Sequence, residues 1–483
     1  MNIRIIGNYV GQALRVEWLF MIPALILSLV FCEWYSAIGF AVTVAALVLV
    51  SVGLSRVKVE ERTIYTREGF VIVALSWISM SLFGALPFFI SGAIPNYIDC
   101  IFETVSGFTT TGASILRDVE AMPRSLLYWR SFTNWLGGMG AIVFLLAISP
   151  KEKTKGSLRI LRAESPGPIV GKLVPKIRST ALLLYKIYIA LTVLEMIMLI
   201  AGGMPVFESV CHAFSTAGTG GFSVKNASIG AYDSDYIQIV IGVFMLLFGI
   251  NFNVFYLLLI RKIKQALFNQ ELRLYLGIAA FSTAAITINT LSMFDNVGEA
   301  LKHGFFQVSS IMTTTGFATT DFNLWPEFSK CLLVVLMILG ACAGSTAGGI
   351  KMARLLILLK SFRNTIQRMI HPRSVKIIKI DGEVTEESTV REVTVFMTAY
   401  VMIFGASILA VSLDNFDFET TATAVVATLN NIGPGLGQVG PTGNFADFSI
   451  FSKIVLSLDM LIGRLEIFPM LMLAAPSMWK REK

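Results

Sequence analysis

Long apolar stretches, interrupted at intervals by short polar segments that carry glycine, dominate the pattern of this chain. Runs suited to crossing a hydrocarbon core, about 20 residues each, fall near 18–32, 36–53, 70–93, 131–149, 180–203, 237–260, 275–293, 329–340 with 350–360, 392–413 and 449–475. They predict ten spans, one of them interrupted. A hydrophobic share of 55%, a charged share of 15% and a mean hydropathy of +0.70 exclude an ordinary soluble domain and read as a polytopic membrane protein. The start, Met1 to Trp18, carries Arg4 and Arg15 but no short apolar core ending at a small-residue cleavage site, so no cleaved signal peptide is expected.

Between the spans one motif recurs. Phe108-Thr-Thr-Thr-Gly112, Phe214-Ser-Thr-Ala-Gly218, Thr313-Thr-Thr-Gly316 and Asn430-Asn-Ile-Gly433 each sit between two apolar runs, with their glycines roughly 100 to 120 residues apart. Upstream of each lies a stretch too short to cross: Ile101 to Phe108, Val206 to Phe214, Gly298 to Met312 and Glu419 to Leu429. The chain reads as two leading spans followed by four units of span, re-entrant half-helix, glycine loop and span. The expected boundaries are 1–68 for the leading pair, then 69–150, 151–262, 263–372 and 373–483 for the units.

Lipid cannot satisfy the amides and carbonyls of irregular backbone, so such loops survive at membrane depth only when buried in protein or lining a water-filled cavity. Four of them in one chain are expected to meet. Gathered on one axis they would present rings of carbonyl oxygens, the construction that replaces the hydration shell of an alkali cation. Glycine suits such a loop because a Cβ obstructs the backbone angles it requires. The candidate cation ligands are Thr110, Thr111 and Gly112, then Thr216, Ala217 and Gly218, then Thr314, Thr315 and Gly316, then Asn431, Ile432 and Gly433. The hydroxyls of Thr109, Ser215 and Thr313 and of the threonines in that set can hold the loops in shape or serve as further ligands. One such tripeptide alone would read as close helix packing; four in matching positions point to a pore.

Charge placement orients the chain. Lys and Arg number 39 against 32 Asp and Glu, and they crowd Arg56 to Arg67, Lys151 to Arg178, Arg261 to Arg273, Lys351 to Lys379 and the end from Lys480. By the positive-inside rule these segments and both termini are cytoplasmic. This placement argues for a membrane surface and against a nucleic-acid partner. Five isolated cysteines and three scattered histidines suggest neither a disulfide framework nor a zinc site. Gly435-Leu-Gly437-Gln-Val-Gly440 matches a dinucleotide fingerprint only in letters, since no strand precedes it and Pro441 follows. Glu103, Glu208, Asp414 and Asp417 could concentrate cations outside or simply cap helices. Val375 to Val384 alternates around Asp381-Gly382, a hairpin signal, and with Lys151 to Arg178 forms the expected cytoplasmic docking surface.

Phe102 to Ser114, Arg130 to Gly140, Asn430 to Gly437 and Gly344-Ser-Thr-Ala-Gly-Gly-Ile-Lys351 resemble the signatures of the Trk/Ktr/HKT superfamily, nearest to its TrkH branch. The resemblance covers essentially the whole chain. It implies an all-α polytopic membrane protein with four M1-P-M2 repeats around a pore, two extra N-terminal helices, and a homodimer in a bacterial inner membrane. It implies K+ as the transported ion, with a glycine in each filter loop marking selectivity. It also implies a cytoplasmic TrkA-like regulatory subunit that binds NADH, ATP or ADP.

Two features bear on gating. The run from Gly340 to Gly349 holds four glycines in ten residues, which should melt a helix locally. The resemblance makes Gly344, Ser345, Thr346, Ala347, Gly348 and Gly349 an intramembrane gate. Arg464, inside the last span, is a charge that should face a cavity or a partner. The resemblance places it under the filter, and an ion pair with Asp459 or Glu466 is the competing role. The alternative for the whole chain is a proton- or sodium-coupled symporter working by alternating access; no catalytic constellation suggests an enzyme.

Overall fold

The computed structural model describes residues 2–56, 65–140, 177–373 and 377–476. Residues 141–149 of the fourth predicted span and nearly all of the basic segment Lys151 to Arg178 lie outside them. Among the described residues the architecture is all-α apart from one two-stranded hairpin.

Among the described residues, six helices are long and apolar enough to cross a membrane alone: Ile3–Val30, Trp34–Ser55, Arg67–Ile90, Leu182–Ala201, Gln270–Met293 and Glu387–Asp414. The first two pack as an antiparallel pair, drawn together where Gly11 faces Leu54 and the Ser51 carbonyl with no room for a side chain. Small residues serve here because lipid offers no hydrophobic drive for helix association. The other four each open one unit, as the sequence pattern predicts.

Each unit then turns back through a half-helix: Tyr97–Phe108, Val206–Gly218, Val297–Met312 and Phe418–Leu429. At 12 to 16 residues these span about 18–24 Å, short of the roughly 30 Å of a bilayer core. Asn96, Asn296 and Asp417 cap three of them by accepting backbone N–H bonds from their first turns. The helices that follow carry the main departure from the sequence pattern. The predicted uninterrupted spans 237–260 and 449–475 are both broken. Asp235–Phe248 and Phe252–Leu259 are bent 92° from each other, where the Asn251 side chain accepts from Asn253 N–H and starts a new helix. Ile450–Arg464 stops before Phe468–Ala474, because Glu466 and Ile467 take positive φ values of 56° and 69°. The third unit breaks as predicted, between Glu327–Ile338 and Met352–Ile370.

Aromatic packing fills the seam between the first two units. Phe132 meets Phe214 at 5.3 Å between ring centroids, and Trp135 stacks on Tyr188 at 5.4 Å. The predicted hairpin forms as β1 (Lys379–Ile380) and β2 (Glu383–Val384), with Asp381 and Gly382 both at positive φ, the geometry of a type I′ turn.

The half-helices end hard against the second helices. A Cβ on Gly137 would stand 1.9 Å from the Phe108 carbonyl oxygen, and one on Gly463 would stand 2.0 Å from that of Leu429, the equivalent residue of the fourth unit. Gly137→Ala and Gly463→Ala should each lower stability by about 1–3 kcal/mol through forced backbone shifts. Thermal unfolding of the purified variants in detergent checks this, and wild-type midpoints in both would contradict it.

Candidate functional site

All four half-helices end in the same way. Thr110, Thr219, Thr314 and Asn431 take left-handed φ values of 55°, 55°, 56° and 56°. Their N–H groups bond back to Gly107, Thr216, Ile311 and Thr428, and the next N–H bonds five residues back, to Ser106, Ser215, Ser310 and Ala427, at 2.8 Å in every case. This is the paired closure of a Schellman cap, built here with threonine or asparagine where glycine is usual. A β-branched residue in the left-handed region is costly and persists only where its surroundings impose it. Two residues on, Gly112, Gly221, Gly316 and Gly433 have φ of 82°, 65°, 88° and 98°.

This equivalence corrects the register of the second loop. Thr216, Ala217 and Gly218 belong to the last turn of the half-helix, which runs to Gly218, and the residues matching Thr110, Thr111 and Gly112 are Thr219, Gly220 and Gly221. The triplet Ser-Thr-Ala before Gly218 imitates the threonine run of the other loops. Gly218 is instead a packing glycine whose Cβ would lie 2.2 Å from the Asn134 carbonyl. The signal for the true register was the adjacent pair Gly220-Gly221.

The loops meet in a closed circuit. A Cβ on Gly112 would lie 2.3 Å from the Gly220 carbonyl oxygen, on Gly221 1.9 Å from that of Thr315, on Gly316 2.1 Å from that of Ile432, and on Gly433 2.7 Å from that of Thr111. Each glycine thus faces the carbonyl preceding the glycine of the next unit, in order one, two, three, four and back to one. The same four glycines line one open cavity with Ser114, Ser223 and Ala318.

Side chains fix the loops from behind. Thr109 shares a hydrogen bond with Thr111 at 2.8 Å, and Thr313 with Thr315 at 2.7 Å. In the fourth loop amides replace the hydroxyls: Asn431 donates to Thr111 Oγ1 across the unit boundary at 3.0 Å, and Asn430 to Tyr400 Oη at 2.9 Å. Glu103 is buried, so it does not face the outer solution. It accepts from Arg130 Nε at 2.6 Å, from Ser114 Oγ and from Ile115 N–H. Arg130, for which the sequence suggested no role, also donates to the Ser223 carbonyl and covers the Phe222 ring at 3.5 Å. Removing either partner of this pair would strand a buried charge, at a cost of about 3–5 kcal/mol. His212 holds Ser223 at the same place in the second unit. Asp414 and Asp417 serve as acceptors for Ser449 N–H and Thr420 N–H. At the outer rim, Asp118 accepts from Asn226, which holds its carboxyl below the ordinary range.

Below the circuit lies the segment from Gly340 to Ile350, its two ends joined by a bridge between Leu339 and Ile350. Gly348 N–H donates to Thr314 Oγ1 at 2.7 Å, and a Cβ there would press on the Asn430 carbonyl at 2.5 Å. Lys351 turns its ammonium back onto the Ala347 and Gly348 carbonyls. Arg464 donates to the Thr346 carbonyl at 2.7 Å and to that of Gly138 at 2.8 Å. Glu466 pairs instead with Arg354, and Asp459 accepts from Ser407. The structure therefore brings Gly344 to Gly349 and Arg464 together with the third and fourth loops and with the end of the first unit's second helix. Pattern reading missed Thr219, Gly220 and Gly221, for which the paired glycines were the available signal, and assigned no role to Arg130, Lys351 or Glu271, whose partners are brought to them only by the fold.

A family model described as TrkH, cation transport protein, matches residues 38–481. The chain is 39% identical over 430 residues to the Trk system potassium uptake protein TrkH of Salmonella typhimurium, covering 87% of this chain and 88% of that one. It is 35% identical to the like-named protein of Halomonas elongata across 100% of both chains. The crystal structure of the potassium transporter TrkH from Vibrio parahaemolyticus matches with a TM-score of 0.87 at 33% identity, over 99% of this chain and 100% of that chain. The chain belongs to the TrkH family of cation transport proteins and is an integral membrane protein of that all-α fold.

Proposed function

We propose that the protein takes up potassium across the bacterial inner membrane, along the axis where the four glycine loops meet. The closed circuit of glycines against neighbouring carbonyls carries this reading. Such a ring leaves no gap for lipid and gathers backbone oxygens from all four units around one path, which a dehydrated monovalent cation requires. The ligands are the carbonyls of Thr110, Thr111 and Gly112, of Thr219, Gly220 and Gly221, of Thr314, Thr315 and Gly316, and of Asn431, Ile432 and Gly433. Half-helices ending at the loops add the negative end of their dipoles. Both termini face the cytoplasm.

The segment Gly344 to Gly349 closes the path beneath the filter. Arg464 ties that segment to the first unit through the Thr346, Gly137 and Gly138 carbonyls, and its charge opposes an ion resting above it. Relatives named as Trk system proteins support association with further components of such a system, and in this reading two copies also pair within lipid. A TrkA-like subunit binding NADH, ATP or ADP docks on the basic segments and the hairpin.

Ion discrimination tests the filter and its register together. In a host lacking potassium import, Gly112→Ser and Gly221→Ser should each reduce rubidium-over-sodium uptake selectivity by about tenfold or more, a loss of about 1.4 kcal/mol. Gly218→Ala should lower protein abundance and leave the selectivity of the surviving protein unchanged. The reverse outcome, with Gly218 controlling selectivity and Gly221 not, defeats the register.

Arg464→Ala should raise rubidium flux without a regulatory subunit by about tenfold, measured in proteoliposomes. Flux equal to wild type removes Arg464 from the pathway.

A further inference from the structure

One buried carboxylate grips both arms of the intramembrane segment. Glu271 lies in the first turn of the helix Gln270–Thr290 and is 5% exposed. A single oxygen, Oε1, accepts from Ala343 N–H at 2.6 Å and from Ala353 N–H at 3.1 Å. Ala343 lies within the segment, and Ala353 in the first turn of the helix Met352–Ile370 that leaves it. The second oxygen faces Asn251 Nδ2 at 3.5 Å, beside the break where Phe252 N–H bonds to the Gly344 carbonyl and Cys342 N–H to that of Gly249. Charge-assisted bonds to backbone N–H groups are among the stronger ones available, and the Ala353 amide is one of the donors a helix start leaves open. One oxygen staples the way in and the way out.

What positions this carboxylate lies one residue away. Asp381, at the tip of the β1–β2 hairpin, accepts from Gln270 N–H at 2.8 Å and from Asn269 Nδ2 at 2.6 Å. Asn269 is itself the cap of that helix, accepting from Leu272 N–H. Lys360, on the helix leaving the segment, donates to Gln270 Oε1 and to the Lys379 carbonyl of β1. The hairpin is thereby fastened to the helix turn that carries Glu271 and to the helix that follows the segment.

We infer that Glu271 is the positioning residue of the intramembrane segment, and that Asp381 sets where Glu271 stands. Displacement of the hairpin is transmitted through a single helix turn to the segment below the filter. The clamp stands on its own geometry; its effect on flux rests on the segment being the gate.

Hydrogen exchange and rubidium flux of the purified full-length protein separate the two. Glu271→Ala should speed exchange of peptides covering 340–353 by about tenfold and raise partner-free flux in proportion. Glu271→Gln keeps an acceptor at Oε1 and should stay within about threefold of wild type in both, which a general loss of folding would not allow. Asp381→Ala should speed exchange in the same peptides to a smaller extent, and the double variant should match Glu271→Ala because the two act in series. Wild-type exchange at 340–353 in Glu271→Ala overturns the clamp, as does a Gln variant equal to Ala. Wild-type exchange there in Asp381→Ala overturns the link to the hairpin. Faster exchange with unchanged flux leaves the clamp standing and defeats the gate.

Discussion

Backbone that leaves the helix inside a membrane has to find partners for its amides and carbonyls within the protein, because lipid provides none. Nearly everything distinctive about this molecule follows from meeting that demand in four glycine loops, in one intramembrane segment and at the breaks by Asn251 and Ile467. The loops satisfy their amides locally through identical left-handed caps, which leaves later carbonyls free. They then pack glycine against carbonyl in a closed circuit, so that each loop lies directly against the next.

The circuit is fourfold in its backbone and not in its side chains. Behind the first loop stands an ion pair, Glu103 with Arg130; behind the second, His212 with Ser223; behind the third, Ser310 with the Phe317 carbonyl; behind the fourth, Thr423 with Leu436. The last three braces join a half-helix to the chain that follows its glycine, and Glu103 reaches the same place in the first unit through Ser114 Oγ and Ile115 N–H. The chemistry is free to vary because what must be conserved in shape is only the distance between those two segments. The asparagines of the fourth loop fit the same logic. Their amides reach Thr111 and Tyr400, doing from outside what paired threonine hydroxyls do within the first and third loops.

The intramembrane segment is held by a different kind of partner. Charged side chains from separate units, Glu271 from the third and Arg464 from the fourth, bind its backbone directly, and Lys351 folds back onto it. Ion-to-backbone bonds in a low-dielectric setting are strong when made and costly when broken. A segment fixed at a few such points therefore has discrete arrangements in place of gradual ones.

Apolar periodicity and the four glycine motifs were enough to read a membrane protein with a leading helix pair, the place of the half-helices, the break at Gly340 to Gly349 and the hairpin at Asp381-Gly382. These are local properties: hydropathy sets a span, glycine marks a turn, and both act over a few residues. Where the signal was equally local but ambiguous, at Phe214 to Gly221, two glycine positions competed and only the packing of Gly218 against Asn134 and of Gly221 against Thr315 decided between them. The bends at Asn251 and Ile467 were not read from the sequence, because mean hydropathy carries across Gly249, Asn251 and Pro469; in the fold Phe252 N–H bonds to the Gly344 carbonyl at the first bend and Glu466 pairs with Arg354 at the second. The pairing of Glu103 with Arg130, of Arg464 with Thr346, and of Glu271 with Ala343 and Ala353 belongs wholly to the tertiary structure. A charge in an apolar run declares that it needs a partner, but which partner depends on distances that exist only once the units have closed around their axis.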